Sequence, residues 1–430
     1  MEHRNRCWFK TCWILALITL TNPTQAKNLE ALIATAIKSD PWLAQSQAQE
    51  RAARAEAVAG GELPDPRFTA SFANLPTDTF DFSQEPMTQV MVGLSQSFPG
   101  GDTRQLRRQR LGQMGDVSVI ERSMRVAQLR RDITLLWADA SLADKTARLI
   151  NKDRALFEQL ETVIQSSYSS AGKGTSQQDL IRAELEITRL DERVLQLKER
   201  RQRKIEQLTQ WVPQSMVYAV AEFQLPNESP DSNKQVSLHP ETQVHDQRIE
   251  IARTGYQLAK ETLRPGFTLN TSYGYRDEDR NGRDLPDFVS VGVSMALPFF
   301  RAKRQDKQVA AAAERVAAEE AARLLTIRRL QAMQSDAHAR LIQLDQQTAL
   351  YENTLLRQMT ALTDAALSAY ASNQTDFSEV MRAHIAQLNA QIEALRLETE
   401  RQKTIAQLQY LGTTINDSTV SRATDTGVTS

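Results

Sequence analysis

Two periodicities share the chain. In the first, apolar and small or polar residues alternate strictly. Phe68, Ala70 and Phe72 stand between Thr69, Ser71 and Ala73, and Val90, Val92 and Leu94 between Met91, Gly93 and Ser95. The pattern returns with Phe267, Leu269 and Tyr273 against Thr268, Asn270 and Ser272. It closes with Val289, Val291, Val293, Met295 and Leu297 against Ser290, Gly292, Ser294 and Ala296. Period two with one apolar row predicts strands over 66–76, 88–98, 265–275 and 287–297. Each run approaches the ~9–11 residues with which a strand crosses a bilayer. The connections 76–87 and 276–287 are polar, and the second, RDEDRNGRDLPD, fits no apolar core.

The second periodicity is helical. Leu129, Ile133, Leu136, Ala140, Ala143, Ala147 and Ile150 keep 4-3 spacing, which resumes at Phe157 and Ile164. Met381, Ile385, Leu388, Ile392 and Leu395 do the same. Such seams predict coiled-coil packing, and the alanines allow helices to approach closely. Long helices are expected over 103–168, 176–211, 302–370 and 376–411. With no proline between 103 and 167, the first would extend ~95 Å at 1.5 Å per residue.

These elements are written twice. Pro41, Pro66, Phe68 and Thr69 recur 199 positions later as Pro240, Pro265, Phe267 and Thr268. Val90, Val92, Gly93, Ser95 and Pro99 recur at the same offset as Val289, Val291, Gly292, Ser294 and Pro298. Farther on the offset is 200: Thr175 with Thr375, Arg182-Ala183 with Arg382-Ala383, Arg201-Gln202 with Arg401-Gln402. One repeat therefore spans 27–211 and the other 237–412, joined by a Pro- and Ser-containing linker over 212–236. Residues 413–430 form a Ser/Thr-rich tail. Residues 1–26 read as a secretory signal, with Arg4, Arg6 and Lys10 before the apolar run Cys12–Leu20, and a small residue at Ala26.

Composition narrows the chemistry. The 430 residues carry 52 basic and 53 acidic side chains, with an isoelectric point near 6.6, which offers no electrostatic footprint for nucleic acid. A mean hydropathy of −0.46 excludes a polytopic helical membrane protein but not a β-barrel, whose strands are only half apolar. Both cysteines, Cys7 and Cys12, lie in the signal segment, so no disulfide or thiolate site is expected beyond it. The five histidines form no metal-ligand spacing, and no nucleophile–base pairing is visible. Gly172-Lys173-Gly174-Thr175 lacks the spacing of a phosphate loop and reads as a turn between antiparallel helices. Neither enzyme activity nor a cofactor is expected.

Four membrane strands cannot close a barrel, for which about eight is the smallest number. An open edge in lipid leaves unpaired backbone groups costing several kcal/mol each, so other subunits must complete the sheet. Three copies would supply about twelve strands, wide enough for a lumen. The fold class expected is mainly α with a membrane β-barrel portion: long antiparallel coiled-coil helices forming an α-barrel, plus four strands per protomer.

The chain resembles the TolC family of outer-membrane efflux channels over nearly its whole length after the signal. The residues that carry the resemblance are Leu63-Pro64-Asp65-Pro66-Arg67-Phe68 and Arg264-Pro265-Gly266-Phe267, with the strand ends Phe98-Pro99 and Leu297-Pro298. With them go the helix-break motifs, Tyr168…Gly172-Lys173-Gly174-Thr175…Asp179-Leu180…Ala183 and Tyr370…Asn373-Gln374-Thr375…Glu379-Val380…Ala383. The resemblance implies a homotrimer with a twelve-stranded barrel in outer-membrane lipid and a helical tunnel in the periplasm. It also implies a periplasmic adaptor and an inner-membrane pump as partners. Asn74-Leu75-Pro76, Glu85-Pro86-Met87-Thr88 and Phe98-Pro99-Gly100 look more like the metal-exporting branch than the drug-exporting one. An exported coiled-coil structural or adhesion protein and a type I secretion duct are the alternatives, and the periplasmic adaptor itself is a further one.

By the same resemblance the helix breaks are the periplasmic tip. Gly172, Lys173, Gly174, Asn373 and Gln374 are then candidate adaptor-docking turns, and Asp179 and Glu379 candidates for the aperture. The alternative is that both acids merely stabilise helix N-termini. Arg182 and Arg382, three residues on, stand where some family members carry a second acid; each either pairs with the acid on its own helix or is simply solvated.

Overall fold

The computed structural model describes residues 27–169, 177–218, 236–372 and 374–415. The signal segment, Gly172, Lys173, Gly174 and Asn373 lie outside them, as does the tail beyond residue 415. The first repeat contains α1 (Lys27–Ser39), α2 (Pro41–Gly61), β1 (Arg67–Ala73), β2 (Gln89–Phe98), α3 (Thr103–Ser169) and α4 (Gln177–Leu208). A short α5 (Gln214–Tyr218) follows within the expected linker. It forms because Val217 and Val212 find an apolar seat and are almost fully buried. The second repeat contains α6 (Pro240–Glu261), β3 (Phe267–Tyr275), β4 (Phe288–Met295), α7 (Gln305–Leu350), α8 (Leu356–Ala371) and α9 (Phe377–Leu411).

Both repeats open with the same device. Asp40 caps α2, its carboxylate accepting from the Trp42 amide at 3.1 Å, with Pro41 as the first helical residue. His239 caps α6, its Nδ1 accepting from the Glu241 amide at 3.2 Å, with Pro240 following. Proline suits this position because its missing N–H would have no helical partner.

The 67 residues of α3 make one helix about 100 Å long. Its second-repeat counterpart differs from expectation, since the helix over 302–370 is interrupted. Tyr351–Leu355 form a π turn between α7 and α8. A π turn is one residue inserted into an α-helix. The rod nevertheless continues through the turn, and α7, the turn and α8 together match the length of α3.

The 4-3 seam of α3 is buried at Leu129, Ile133, Ala140, Ala143, Ala147, Ile150 and Phe157. Trp137 is also fully buried, against Leu32, Ile33 and Ala36 of α1 and Ile205 and Leu208 of α4. A straight α-helix drifts relative to a seven-residue repeat, so the buried stripe widens beyond the a/d positions there. Leu388 and Met381 of α9 join Ile150 and Phe157 in a second cluster, through which the two repeats meet.

The four strands form one antiparallel sheet in the order β1-β2-β3-β4. Its outer edges, β1 and β4, have no strand partner among the described residues.

His239 supplies a pH test. It is only 1% exposed, and burial pushes its imidazole down to about 4. The unfolded chain takes up this proton near the ordinary ~6.5, so between those values the unfolded state binds more protons and folding stability falls as pH drops. His239→Asn retains a capping side chain but removes the titration. Between pH 7 and pH 5 the Tm of the detergent-solubilised protein should fall less in this variant than in the wild type.

Candidate functional site

The strand register gathers the apolar rows of all four strands onto one face. Phe68 pairs with Leu94, Ala70 with Val92, and Phe72 with Val90. Val92 pairs in turn with Tyr273, and Phe98 with Phe267. Tyr273 meets Val289, Leu269 meets Val293, and Phe267 meets Met295. Cross-strand partners lie on the same side of a sheet, so these residues make one continuous apolar surface. It is open in the single chain: Phe68, Val289 and Val291 are 68%, 75% and 71% exposed. The Phe98 and Phe267 rings stack with centroids 5.0 Å apart at the helix-proximal end of the sheet.

The opposite face is small and polar. The Ser97 and Thr268 hydroxyls lie 3.0 Å apart, and the Asn270 amide donates to Ser294 Oγ at 3.3 Å. A sheet apolar on one side and hydroxyl-lined on the other can separate hydrocarbon from water.

At the far end the two connecting loops are tied together by a residue that the alternation pattern did not single out. Arg276 Nε donates to the Pro286 carbonyl at 2.8 Å, and its Nη1 to the Pro86 carbonyl at 3.1 Å. Its guanidinium carbon lies 4.0 Å over the Phe288 ring. One planar fork thus spans both loops, which a point-charge lysine cannot reproduce. The proline-containing stretch over 74–88 likewise has a structural task. Asn74 adopts φ +55°, its amide donates to the Met87 carbonyl at 3.1 Å, and Thr88 Oγ1 donates to the Asn74 carbonyl at 2.9 Å. These residues close the first loop.

At the opposite end of the molecule, Asp179 and Glu379 both occupy first turns, of α4 and α9. Arg182, Leu185, Glu186 and Arg189 of α4 face Phe377, Met381, Arg382 and Ile385 of α9 across an open groove of about 570 Å³. The expected acid–arginine pair forms in the second repeat, where Arg382 Nη2 lies 2.5 Å from Glu379 Oε2. Arg189 pairs with Glu186 at 2.5 Å, while Arg182 has no ion-pair partner among the described residues. The groove is therefore lined by three guanidiniums and one carboxylate, Glu186, and Glu379 bears on it only through its pair with Arg382. Gln374, the described docking-turn residue, is exposed, its amide donating to the Ala369 carbonyl at 2.8 Å. One turn deeper, His384 lies edge-on to Phe157 with ring centroids 6.1 Å apart, and burial lowers its imidazole. Burial also raises the carboxyl of nearby Asp153.

Among the described residues no three His, Cys, Asp or Glu side chains gather as a metal site, and no helix is long and apolar enough to cross a membrane.

Long helical hairpins continue from a four-stranded sheet with one apolar face, and solved outer-membrane channels share this architecture. The outer membrane protein VceC of Vibrio cholerae matches with a TM-score of 0.76 at 15% identity, covering 90% of this chain and 97% of its own. The CmeC outer membrane channel of Campylobacter jejuni matches at 0.74 and 12% identity, over 98% of both chains. The MtrE channel of Neisseria gonorrhoeae in its open state matches at 0.66 and 16% identity, covering 90% and 89%. No family sequence model and no curated protein sequence matches the chain. The likeness resides in the fold: the chain has the fold of these outer-membrane channels.

Two outcomes follow from the faces and the latch. Val291→Arg places a charge on the apolar row and should cost ~2–4 kcal/mol of membrane-inserted stability, whereas Ser294→Arg, on the hydroxyl row, should leave assembly intact and alter conductance. Quantifying heat-stable oligomer in outer-membrane fractions distinguishes them. Arg276→Ala should leave that oligomer unchanged but expose the two loops to added protease on whole cells, and Arg276→Lys should behave like the alanine variant.

Proposed function

We propose that the protein is the outer-membrane exit duct of a tripartite efflux system. A homotrimer closes a twelve-stranded barrel in the outer membrane and carries a helical tunnel through the periplasm. It conducts passively what an inner-membrane pump expels, and a periplasmic adaptor docks at the helix ends. The observation that carries this reading is the sheet itself, apolar on one face, hydroxyl-lined on the other and unpaired at both edges. A coiled-coil structural or adhesion protein has no use for such a surface. Heat-resistant trimers in detergent-solubilised outer membranes are expected; recovery as a soluble periplasmic monomer would overturn the proposal.

In this reading the turns with Gly172, Lys173, Gly174, Asn373 and Gln374 meet the adaptor, and Asp179, Glu379, Arg182 and Arg382 border the aperture. The Glu379–Arg382 pair is well exposed, so it contributes only a few tenths of a kcal/mol to stability. Its removal therefore reports on conduction rather than folding. Glu379→Ala should weaken cation preference and block by multivalent cations in planar-bilayer recordings. Arg382→Ala should strengthen both, because it leaves the carboxylate unneutralised. Recordings indistinguishable from wild type for both variants would remove these residues from the aperture.

A further inference from the structure

Directly beneath the sheet, the helices follow one another as α2, α3, α6 and α7, each packed on the next. A cavity of about 690 Å³ reaches all four, and a second of about 750 Å³ adjoins it on the side of the sheet. Gly255, Ala312 and Arg315 line both, so the two form one trough. Only the concave side of a curved row of helices can present four neighbours to one space. A groove on the other side touches two, as the one lined by Tyr256 and Lys260 of α6 and Val309 and Ala313 of α7 does.

The trough carries charge that no contact in the fold accounts for. Arg110 and Arg315 line the first cavity, and Arg107, Arg304 and Arg315 the second. All four residues are exposed and make no ion pair among the described residues. They lie within about 15 Å of the sheet-proximal helix ends. Carboxylates are fewer there. Glu261 is held by Arg264 at 3.3 Å; farther down, Glu121 is held by Arg248 at 3.4 Å, and Glu319 lies 3.7 Å from His245. Glu56 is the one carboxylate lining the trough that has no such neighbour among the described residues. Arg304 moreover stands at the N-cap of α7 without making a capping hydrogen bond, where the helix dipole disfavours a cation. Free guanidiniums gathered on a concave wall, which focuses their field, repel one another and attract an anion.

We propose that this trough binds an amphiphilic organic anion, an apolar ring or chain carrying a carboxylate or sulfonate. The inference deepens the duct reading by naming a class of cargo, and rests on it only for taking the concave side as the lumen. The floor of the first cavity is apolar: Met114, Val117 and Ile251 lie among Ala52, Ala53 and Ala252. Met114 is 45% exposed, an apolar side chain left bare in the trough. The volume falls within the ~300–1,000 Å³ usual for small-molecule sites. An apolar body can cover this floor while Arg110 from α3 and Arg315 from α7 take the oxygens of its head. Arg107 and Arg304 extend the attraction towards the barrel.

Cysteine protection in the detergent-solubilised full-length protein tests the trough, because the chain beyond residue 26 contains no cysteine. In Met114→Cys, naphthalenesulfonate should slow modification by a neutral maleimide roughly fivefold or more. Naphthylmethylammonium, which keeps the ring and reverses the charge, should give little protection, and so should sulfate, which lacks the ring. Adding Arg110→Gln and Arg315→Gln should remove the protection. Val117→Cys repeats the measurement with Met114 in place. Equal protection by the ring cation, or protection that survives both glutamines, overturns the anion site. Sulfate protecting as well as naphthalenesulfonate overturns the amphiphile assignment. The comparison of probes needs no arginine variant, so it decides the matter even if that variant fails to assemble. Recovery of the wild type as a soluble monomer overturns the duct reading, and labelling of that monomer still decides whether the trough takes the anion.

Discussion

Two rows of backbone amides and carbonyls, along the outer edges of β1 and β4, constrain the rest of this molecule. In water they would bond to solvent. In the proposed duct the apolar face of this sheet adjoins hydrocarbon, where each unpaired group would cost several kcal/mol. Four strands are too few to curl until the edges meet, so a single chain has no low-energy state in that environment. In that duct, pairing edge to edge with other copies would remove every free edge at once. A ring of strands then forces the helices that continue from them into a ring as well.

Duplication makes such a ring economical to encode. A subunit whose first-repeat surface is complementary to its second-repeat surface inside the chain is already close to complementary between chains. The π turn at Tyr351–Leu355 leaves the rod from α7 through α8 as long as α3.

Stability is distributed unevenly along the tube. Midway, Asp139 of α3 receives Lys204 of α4 and Lys403 of α9, each at 3.0 Å, and so ties three helices from both repeats. Burial works against the charge of Asp139, and the two lysines outweigh it, so its carboxyl titrates below the ordinary range. At the helix ends the ion pairs are exposed and join neighbours on one helix, Arg382 to Glu379 and Arg189 to Glu186. Such pairs hold little. Among the described residues ion pairs brace the middle across helices, while these pairs near the helix ends stay within one helix.

Much of this was legible in the sequence because membrane strands and long helices have strict periods. Strand alternation assigned Val291 and Ser294 to opposite faces before any pairing was known, and the 4-3 spacing identified the buried stripe of α3 from Leu129 to Phe157. The matching offsets of the repeats located the equivalent elements. Three features needed tertiary structure. Trp137 is buried because α1 folds back over it, a contact between segments distant in sequence. Arg276 became a latch only when Pro86, 190 positions away, was brought beside it. The two arginines that match at offset 200 also part company: Arg382 finds Glu379, while Arg182 has no ion-pair partner among the described residues. Periodicity is set by each segment's own backbone geometry and can be read locally. Which side chain meets which depends on the three-dimensional packing of helices and strands, and only the fold decides it.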